Sequence, residues 1–391
     1  MATGTRTTYS DTTPQKRAVA DLIQTIDWTE APLLRLLGVN NESKFRIVNM
    51  AQNKVEWLED TMSPRSGTLG AAIEATDATT ATLGTGEAAY LKEGDVIKID
   101  NELIWVGASN GTTGLSSLAR GFGGSTAATH LNSTAWTLVT GARLEGANYD
   151  TGHTTSTSAP YNYSQILAEA VSVSGSEAEN SKYGIEDTMA YHLAKLMADG
   201  GKAGKLPILL EQTFYYGLRS ANAGSTTAAR AMGGFNQFVT SALTDAYHVV
   251  NKSSAALTRA DIEGVMQVCF DDGGKPDTLV TGSWGLRKIS SFYEGLVRTE
   301  RSEERGGSII RTIVTDFGDI EVVHDRWCPA GELYVIEKEK MGWVQYGSRG
   351  FAIYDRPSMG DYSVKEILGE YTFVLCNADA HGRIYGFSTT K

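Results

Sequence analysis

Several stretches of this sequence carry residue types and spacings that could do chemistry. Lys202-Ala203-Gly204-Lys205 has the glycine–lysine pair of a phosphate-binding loop. Such a loop also needs an earlier glycine and a Ser or Thr that binds magnesium; Asp199 and Leu206 stand at those places, so the stretch reads as a glycine-rich helix break. Gly121-Phe122-Gly123-Gly124 lacks the GxGxxG spacing, follows Arg120 in a β-rich stretch, and reads as a turn. The six histidines (His130, His153, His192, His248, His324 and His381) show neither HxxxH nor HExxH spacing, so a metal site would have to be assembled from distant segments. The acidic pairs Glu59-Asp60, Asp271-Asp272 and Glu303-Glu304 read as solvated surface, because acid–base work needs carboxylates facing each other across a cleft. The one GxSxG match, Gly107-Ala108-Ser109-Asn110-Gly111, falls at the Asn110-Gly111 turn of a β-rich stretch rather than in a strand-to-helix elbow, and neither Cys269 nor Cys328 sits in a nucleophile context. These observations predict no catalytic, cofactor or metal residues, and a protein that is not an enzyme. The densest charge run comprises Arg298, Glu300, Arg301, Glu303, Glu304 and Arg305. It reads either as a solvated loop or as a loop whose mixed signs pair with copies of itself around a symmetry axis. Exposed pairs contribute only about 0–1 kcal/mol each, so such a loop would set register more than strength.

The elements around these stretches indicate more than the stretches themselves. The chain has 391 residues, 41% of them hydrophobic and 21% charged, enough for two or three folded units with real cores. A net charge of −11 argues against a surface built to grip nucleic acid, which needs Lys and Arg to displace counterions. Three widely spaced cysteines support neither a disulfide framework nor a zinc site, and fit a reducing compartment. With no long apolar run and no charged-then-apolar start, neither a membrane span nor a signal peptide is expected. Thr13, Pro14 and the spacing of Val19, Leu22, Ile23 and Ile26 predict an amphipathic helix. A second, short helix is predicted from Pro32 through Leu33, Leu34, Leu36 and Leu37 to Gly38. Both must pack on something distant, either later in the chain or on another subunit.

Between residues 61 and 160 the composition shifts to Gly, Ala, Ser and Thr. Val96–Ile99, Leu103–Val106 and Trp136–Val139, with turns at Asp100-Asn101 and Asn110-Gly111, predict a small antiparallel β module over 83–140 within a longer extended arm. The second half predicts α+β structure. Helix faces fall at Met189, Leu193, Leu196 and Met197, and at Leu210, Phe214 and Leu218. A capped helix follows from Thr258 with Ile262, Val265, Met266, Cys269 and Phe270 as its stripe, then a buried strand at Thr278–Thr281. A helix capped by Ser283 and strands at 308–315, 320–324 and 332–337 come next. The chain is expected to close with a hairpin of Tyr371–Cys376 and Ile384–Phe387.

In this order, several segments resemble one family: major capsid proteins of tailed bacteriophages with the Hong Kong 97-type fold. The segments are Asp21–Asp27 with Ala31-Pro32-Leu33-Leu34; Val55-Glu56-Trp57-Leu58-Glu59-Asp60; Asn162–Leu167 running to Val171–Gly175; Ala229–Gly234; Gly274-Lys275-Pro276-Asp277; and Gly369–Phe373 with Asn377–Gly382. Leu91–Glu102 and Ala119–His130 are similar to a small β unit found in phage virion proteins.

The resemblance implies an α+β capsid fold, with an N-terminal arm (1–45), an extended β loop (46–82 and 141–180) and an inserted β domain (83–140). It further implies a peripheral domain with a spine helix (181–230 and 341–391) and an axial domain (231–340). Gly200, Gly201, Gly204 and Pro207 predict a kink or short loop in the spine helix, since an interior proline costs roughly 3 kcal/mol. The implied function is a major capsid protein that self-assembles as hexamers and pentamers into an icosahedral shell around double-stranded DNA. Its implied partners are copies of itself, with scaffolding, portal and decoration proteins, and no membrane. Its implied location is the virion, after assembly in the host cytoplasm. The inserted module would contact an adjacent capsomer or seat a decoration protein. Candidate assembly residues are Glu56, Trp57 and Asp60 with the charge run from Arg298 to Arg305; Lys54 and Asn377 are of the types that crosslink in some members. The alternatives are an encapsulin-like compartment shell and a phage tail or adhesion protein.

Overall fold

The computed structural model describes residues 30–38, 52–60, 65–147, 155, 157–182, 184–197, 204–243, 245–293 and 312–390. The predicted first helix, at Pro14–Ile26, lies outside them. The chain divides into two compact units, one from the residues up to Trp57 together with Pro160 onward, the other from Leu58 to Ala159.

The first unit begins with α1 (Pro32–Leu37), whose proline sits at the first helical position and whose end is closed by Gly38 at φ 74°. Leu33 and Leu37 are fully buried. The helix packs on later parts of its own chain: Leu34 N–H donates to Glu211 Oε2 at 2.8 Å, and Trp327 Nε1 donates to the Glu30 carbonyl at 2.8 Å. Strand β1 (Lys54–Glu56) follows.

The second unit holds β2 (Ser66–Thr68), β3 (Ala81–Thr82), β4 (Asp95–Ile99), β5 (Glu102–Trp105), β6 (Ala108–Ser109), β7 (Gly114–Ser116) and β8 (Ala135–Gly141). They form two antiparallel sheets, ordered β2-β8-β4-β5 and β3-β7-β6. The β4–β5 turn places Asp100 at φ 50°, a conformation its short polar side chain tolerates. At the β6–β7 turn, Asn110 Oδ1 accepts the N–H groups of Thr112, Thr113 and Gly114.

The core of this unit joins Ile97, Ile99, Ile104, Val106 and Trp136 to Leu69, Ile73 and Ala81. The unit is therefore wider than the expected 83–140 at both ends. Leu69 and Ile73 stand as single apolar residues in a Thr/Ala/Gly-rich run, with no alternation to announce a strand.

Glu102 organises one end of the unit. It is 1% exposed and accepts both Arg120 Nε and Nη2 at 2.7 Å, the N–H groups of Gly121 and Ala128 at 3.0 Å, and sits 2.9 Å from His130 Nε2. Burial by itself would raise its pKa; the Arg120 bond, the two N–H groups and His130 outweigh it and hold the carboxyl at about 2. The Arg120–Gly121 and Ala128–His130 stretches are thus a carboxylate cradle.

The chain returns to the first unit with β9 (Tyr161–Tyr163), antiparallel to β1, and β10 (Gln165–Ser174). After α2 (Gly175–Glu179) come α3 (Thr188–Met197) and α4 (Lys205–Tyr216). The expected helix break is there: Gly204 N–H donates to the Met197 carbonyl at 3.3 Å, and Pro207 falls in the first turn of α4, where its missing N–H needs no intrahelical partner. A Cβ on Gly204 would lie 2.4 Å from the Leu196 backbone, so the close approach requires glycine. Leu218, expected on this helix face, lies beyond the helix and is 71% exposed.

Further along are α5 (Phe235–Phe238), β11 (Val249–Asn251), α6 (Arg259–Asp271), β12 (Thr278–Thr281), α7 (Ser283–Tyr293), β13 (Thr312–Thr315), β14 (Gly318–His324), β15 (Glu332–Ile336), β16 (Met341–Gln345), β17 (Ala352–Arg356), β18 (Tyr362–Leu375) and β19 (Gly382–Tyr385). Thr258 and Asp261 form a reciprocal capping box on α6, as their spacing predicts. Phe270 departs from that reading, being 51% exposed at the end of the helix beside Phe317.

A six-stranded sheet runs β11-β19-β15-β12-β14-β13 and is apolar on both faces. Leu279, Leu333, Val335 and Ile384 pack with α6 residues on one side; Val280, Tyr334 and Ile336 pack with α4, Trp343 and Phe373 on the other. A four-stranded sheet places β18 between β10 on one edge and β16 and β17 on the other. The expected closing hairpin does not form. Strand β18 pairs with β10, β16 and β17, whereas β19 pairs with β15 and β11 in the other sheet. Residues 376–381 carry the chain from one sheet to the other, with Asn377 in the left-handed region at φ 52°.

Candidate assembly interface

The first unit has a buried polar centre that joins three of the sequence segments singled out above. Asn162 is fully buried; its Nδ2 donates to the Gly233 carbonyl at 2.9 Å and the Phe373 carbonyl at 2.7 Å, and its Oδ1 accepts the Gly233 N–H at 2.8 Å. Ser164 Oγ donates to Glu370 Oε1 at 2.6 Å, and Arg230 Nε donates to the Ser164 carbonyl at 2.9 Å while its Nη2 pairs with Glu370. Arg349 pairs with the other Glu370 oxygen at 3.0 Å. Met232 N–H donates to Gln165 Oε1 at 3.1 Å. Strand β9, the 229–234 link and strand β18 are thereby tied at one point, and every partner is a different segment of the chain. Sequence reading quoted these segments but missed their coupling; the signal was a polar Asn, Ser, Arg and Glu set in otherwise apolar strands.

The four-stranded sheet has two unlike faces. On one, Leu167 and Val171 of β10 and Ile367 of β18 are covered by Leu193, Leu196 and Met197 of α3 and Leu206 and Leu209 of α4. Register defines the other, because residues directly opposite in paired strands share a face. It carries the rows Ala168–Leu368–Ala352, Ala170–Glu366–Tyr354 and Ser172–Val364–Arg356, with Ile166 at one end. Ala168, Ala170 and Ser172 are exposed, as are Ile166 (45%) and Tyr354 (40%). Arg356 Nε pairs with Glu366 Oε2 at 2.5 Å on the same face. Exposed small and apolar residues grouped on one face make it a candidate surface for another protein. The alternation that marks it, from Ile166 to Val173, is legible in the sequence and was missed because neighbouring β18 was expected to be short.

The sequence-predicted assembly residues are scattered. Glu56 is exposed on β1 and pairs with Lys54. Trp57 is a correction: it is 6% exposed, packs with Val55, Val344 and Val374, and its ring lies 5.6 Å from Phe238, so it is core of its own subunit. Asp60 is exposed and belongs to the second unit. Arg298, Glu300, Arg301, Glu303, Glu304 and Arg305 lie outside the described residues. Lys54 also sits over the Tyr161 ring at 4.2 Å, and the Arg219 guanidinium lies 3.9 Å from the same ring. The hydrogen bond to Glu56 raises the Lys54 pKa, the wrong direction for an amine that must be neutral to act as a crosslinking nucleophile.

The sequence profile of the SU10 major capsid protein family matches residues 2–388. The chain belongs to that family. It is a phage shell-forming major capsid protein, a structural component of the virion, and its α+β fold is of the Hong Kong 97 type. Its fold is similar to the capsid asymmetric unit of cyanophage A-1(L), at 14% identity and TM-score 0.58 over 98% of this chain and 100% of the other. It is also similar to the capsid of the native GTA particle (10% identity, TM-score 0.51, 96% of each chain). A third likeness is to Microbacterium phage Oxtober96 (10% identity, TM-score 0.50, 98% and 99%). No curated protein sequence matches the chain. No helix among the described residues of this capsid protein is long and apolar enough to cross a membrane.

Proposed function

We propose that copies of this capsid protein associate as hexamers and pentamers that close an icosahedral shell around packaged double-stranded DNA in the host cytoplasm. The observation that carries this reading is the exposed small and apolar face of the β10–β18–β17 sheet on a subunit whose family builds capsids. A standard interface buries about 1,600 Å² in total, and a closed lattice multiplies modest contacts. The net charge of −11 supports a wall that does not hold the phosphates it encloses, so DNA is contained without sequence-specific binding. In this reading residues 181–230 and 341–391 serve as the peripheral domain, with α3 and α4 as a broken spine helix, and 231–340 as the axial domain. Residues 1–45 act as the N-terminal arm, and the strands flanking the inserted unit as an extended loop. Scaffolding, portal and decoration proteins complete the head, and the inserted unit adds contacts to neighbouring subunits.

The test is electron microscopy and size-exclusion chromatography of the wild-type chain beside Ala170→Arg, which places a cation at the centre of the open face. Wild type should give closed shells or capsomer rings, and the variant a folded protein of one-subunit size. Shells from Ala170→Arg as readily as from wild type would show that this face is not buried on assembly.

A further inference from the structure

The hairpin of β17 and β18 carries four large apolar side chains in water: Ile353, Tyr354, Met359 and Tyr362. Its tip lies between Arg356 and Tyr362, and Gly175 N–H donates to the Asp361 carbonyl at 3.2 Å, which ties the tip to the start of α2. Beside the tip is a cavity of about 490 Å³, walled by Val173 at the end of β10, Ala178 of α2, and Val364 and Lys365 of the hairpin. Ser358 and Gly360 line it too. Met359, between them, is turned away from it and is 95% exposed, so it touches almost nothing of its own subunit. Apolar residues scattered singly on a surface need no partner, but four within ten residues beside a cavity form a patch. Charge adds to the match of shapes. The cavity rim carries two cations, Arg356 and Lys365, and two anions, Asp355 and Asp361. Asp355 and Lys365 stand 3.6 Å apart with both side chains largely in water. A tip from a second copy, flanked by its own Arg356 and Asp361, can set each of these charges against an opposite one.

We infer that Met359 of one copy inserts into this cavity on the next, so that the hairpins of neighbouring subunits lock knob into hole. The inference rests on the proposed shell and names the side chain that fastens its neighbours. Methionine is unbranched, with three rotatable bonds, and suits an irregular cavity with mixed walls. Because knob and hole are different patches of one surface, the contact is heterologous. Each copy gives a knob to one neighbour and takes one from another, and the series closes where the rotation between copies completes a ring. Arg356 and Val364 of the cavity also lie on the open face of the sheet, so the lock and that face are covered together.

The test uses the full-length chain in two forms. In the first, subunits carrying Met359→Cys and subunits carrying Ala178→Cys, each with a different affinity tag, are assembled together, oxidised and run on a non-reducing gel. A dimer bearing both tags is expected, and neither variant mixed with wild type should give it. In the second, Met359→Asp should stay folded with an unchanged unfolding midpoint as a free subunit, since the side chain is exposed, yet need at least tenfold more subunit to form shells; Met359→Leu should assemble like wild type. Shells that form without the two-tag dimer, and from Met359→Asp as readily as from wild type, would overturn the lock and leave the shell standing. Wild type that forms neither shells nor rings would overturn the shell reading and the lock with it.

Discussion

The seat of α1 is a proton-dependent joint, and Glu211→Gln tests it. Glu211 is fully buried, accepts the Leu34 N–H at 2.8 Å, and shares its site with Asp325, which is also fully buried. Asp325 accepts the Tyr215 hydroxyl and the Trp327 N–H at 2.8 Å. Burial first, and the Asp325 charge second, push the Glu211 pKa up to about 9, so near neutrality the two carboxyls hold one proton between them. In the unfolded chain Glu211 ionises near the usual value of about 4.3. The folded state therefore holds the proton more tightly, and its stability is greatest below that unfolded value. It declines as pH rises and levels off only once the folded carboxyl itself titrates. One proton gives a slope of at most about 1.4 kcal/mol per pH unit, hence up to about 3 kcal/mol between pH 6 and 8. Glutamine keeps the acceptor for Leu34 and offers an N–H to Asp325 at every pH. Thermal unfolding of wild type and Glu211→Gln across pH 5–9 should give curves that lie close at pH 5 and diverge upward, with the variant the more stable at pH 8. Parallel curves would refute the shared proton.

Other consequences follow from the same structure. Glu102→Gln leaves Arg120 buried without its bidentate partner and should cost about 3–5 kcal/mol in denaturant unfolding followed by tryptophan fluorescence. Because the Glu102 pKa is held at about 2, its contribution is present above the unfolded value of about 4.3 and fades as pH falls through 2; loss of stability beginning above pH 5 would point to other groups. Asn162→Ala strands the Gly233 N–H and the Gly233 and Phe373 carbonyls, each worth about 1–3 kcal/mol, so soluble yield and unfolding midpoint should both drop sharply. Trp57 N–H donates to the Pro160 carbonyl at 3.1 Å, so residues 58–159 can be replaced by a short glycine linker. That deletion should leave a folded protein with weaker shells by calorimetry. Deleting 83–140 alone, which cuts Leu69 and Ile73 away from their core partners, should aggregate.

Several elements were legible where the deciding contact lay within a few residues. Thr258 and Asp261 announce α6, Pro32 and Gly38 bound α1, and the apolar run Thr278–Thr281 marks a strand buried on both faces. Where the partner is remote, the same reasoning failed. Tyr371–Cys376 and Ile384–Phe387 look like a hairpin because they are short, apolar and joined by a turn, yet each finds stronger partners in a different sheet. Trp57 stands among the candidate assembly residues by sequence, yet Val344, Val374 and Phe238 cover it from far along the chain.

The sequence by itself determined the kind of protein: acidic, and resembling one capsid family through ordered short segments. Composition, caps and turns are properties of contiguous residues, and they survive without a fold. Tertiary structure decided which polar residues share one buried centre, which face of the β10–β18–β17 sheet stays open, and where Glu211 meets Asp325. Those are meetings of segments as much as 211 residues apart, as between Asn162 and Phe373, and no local pattern encodes them.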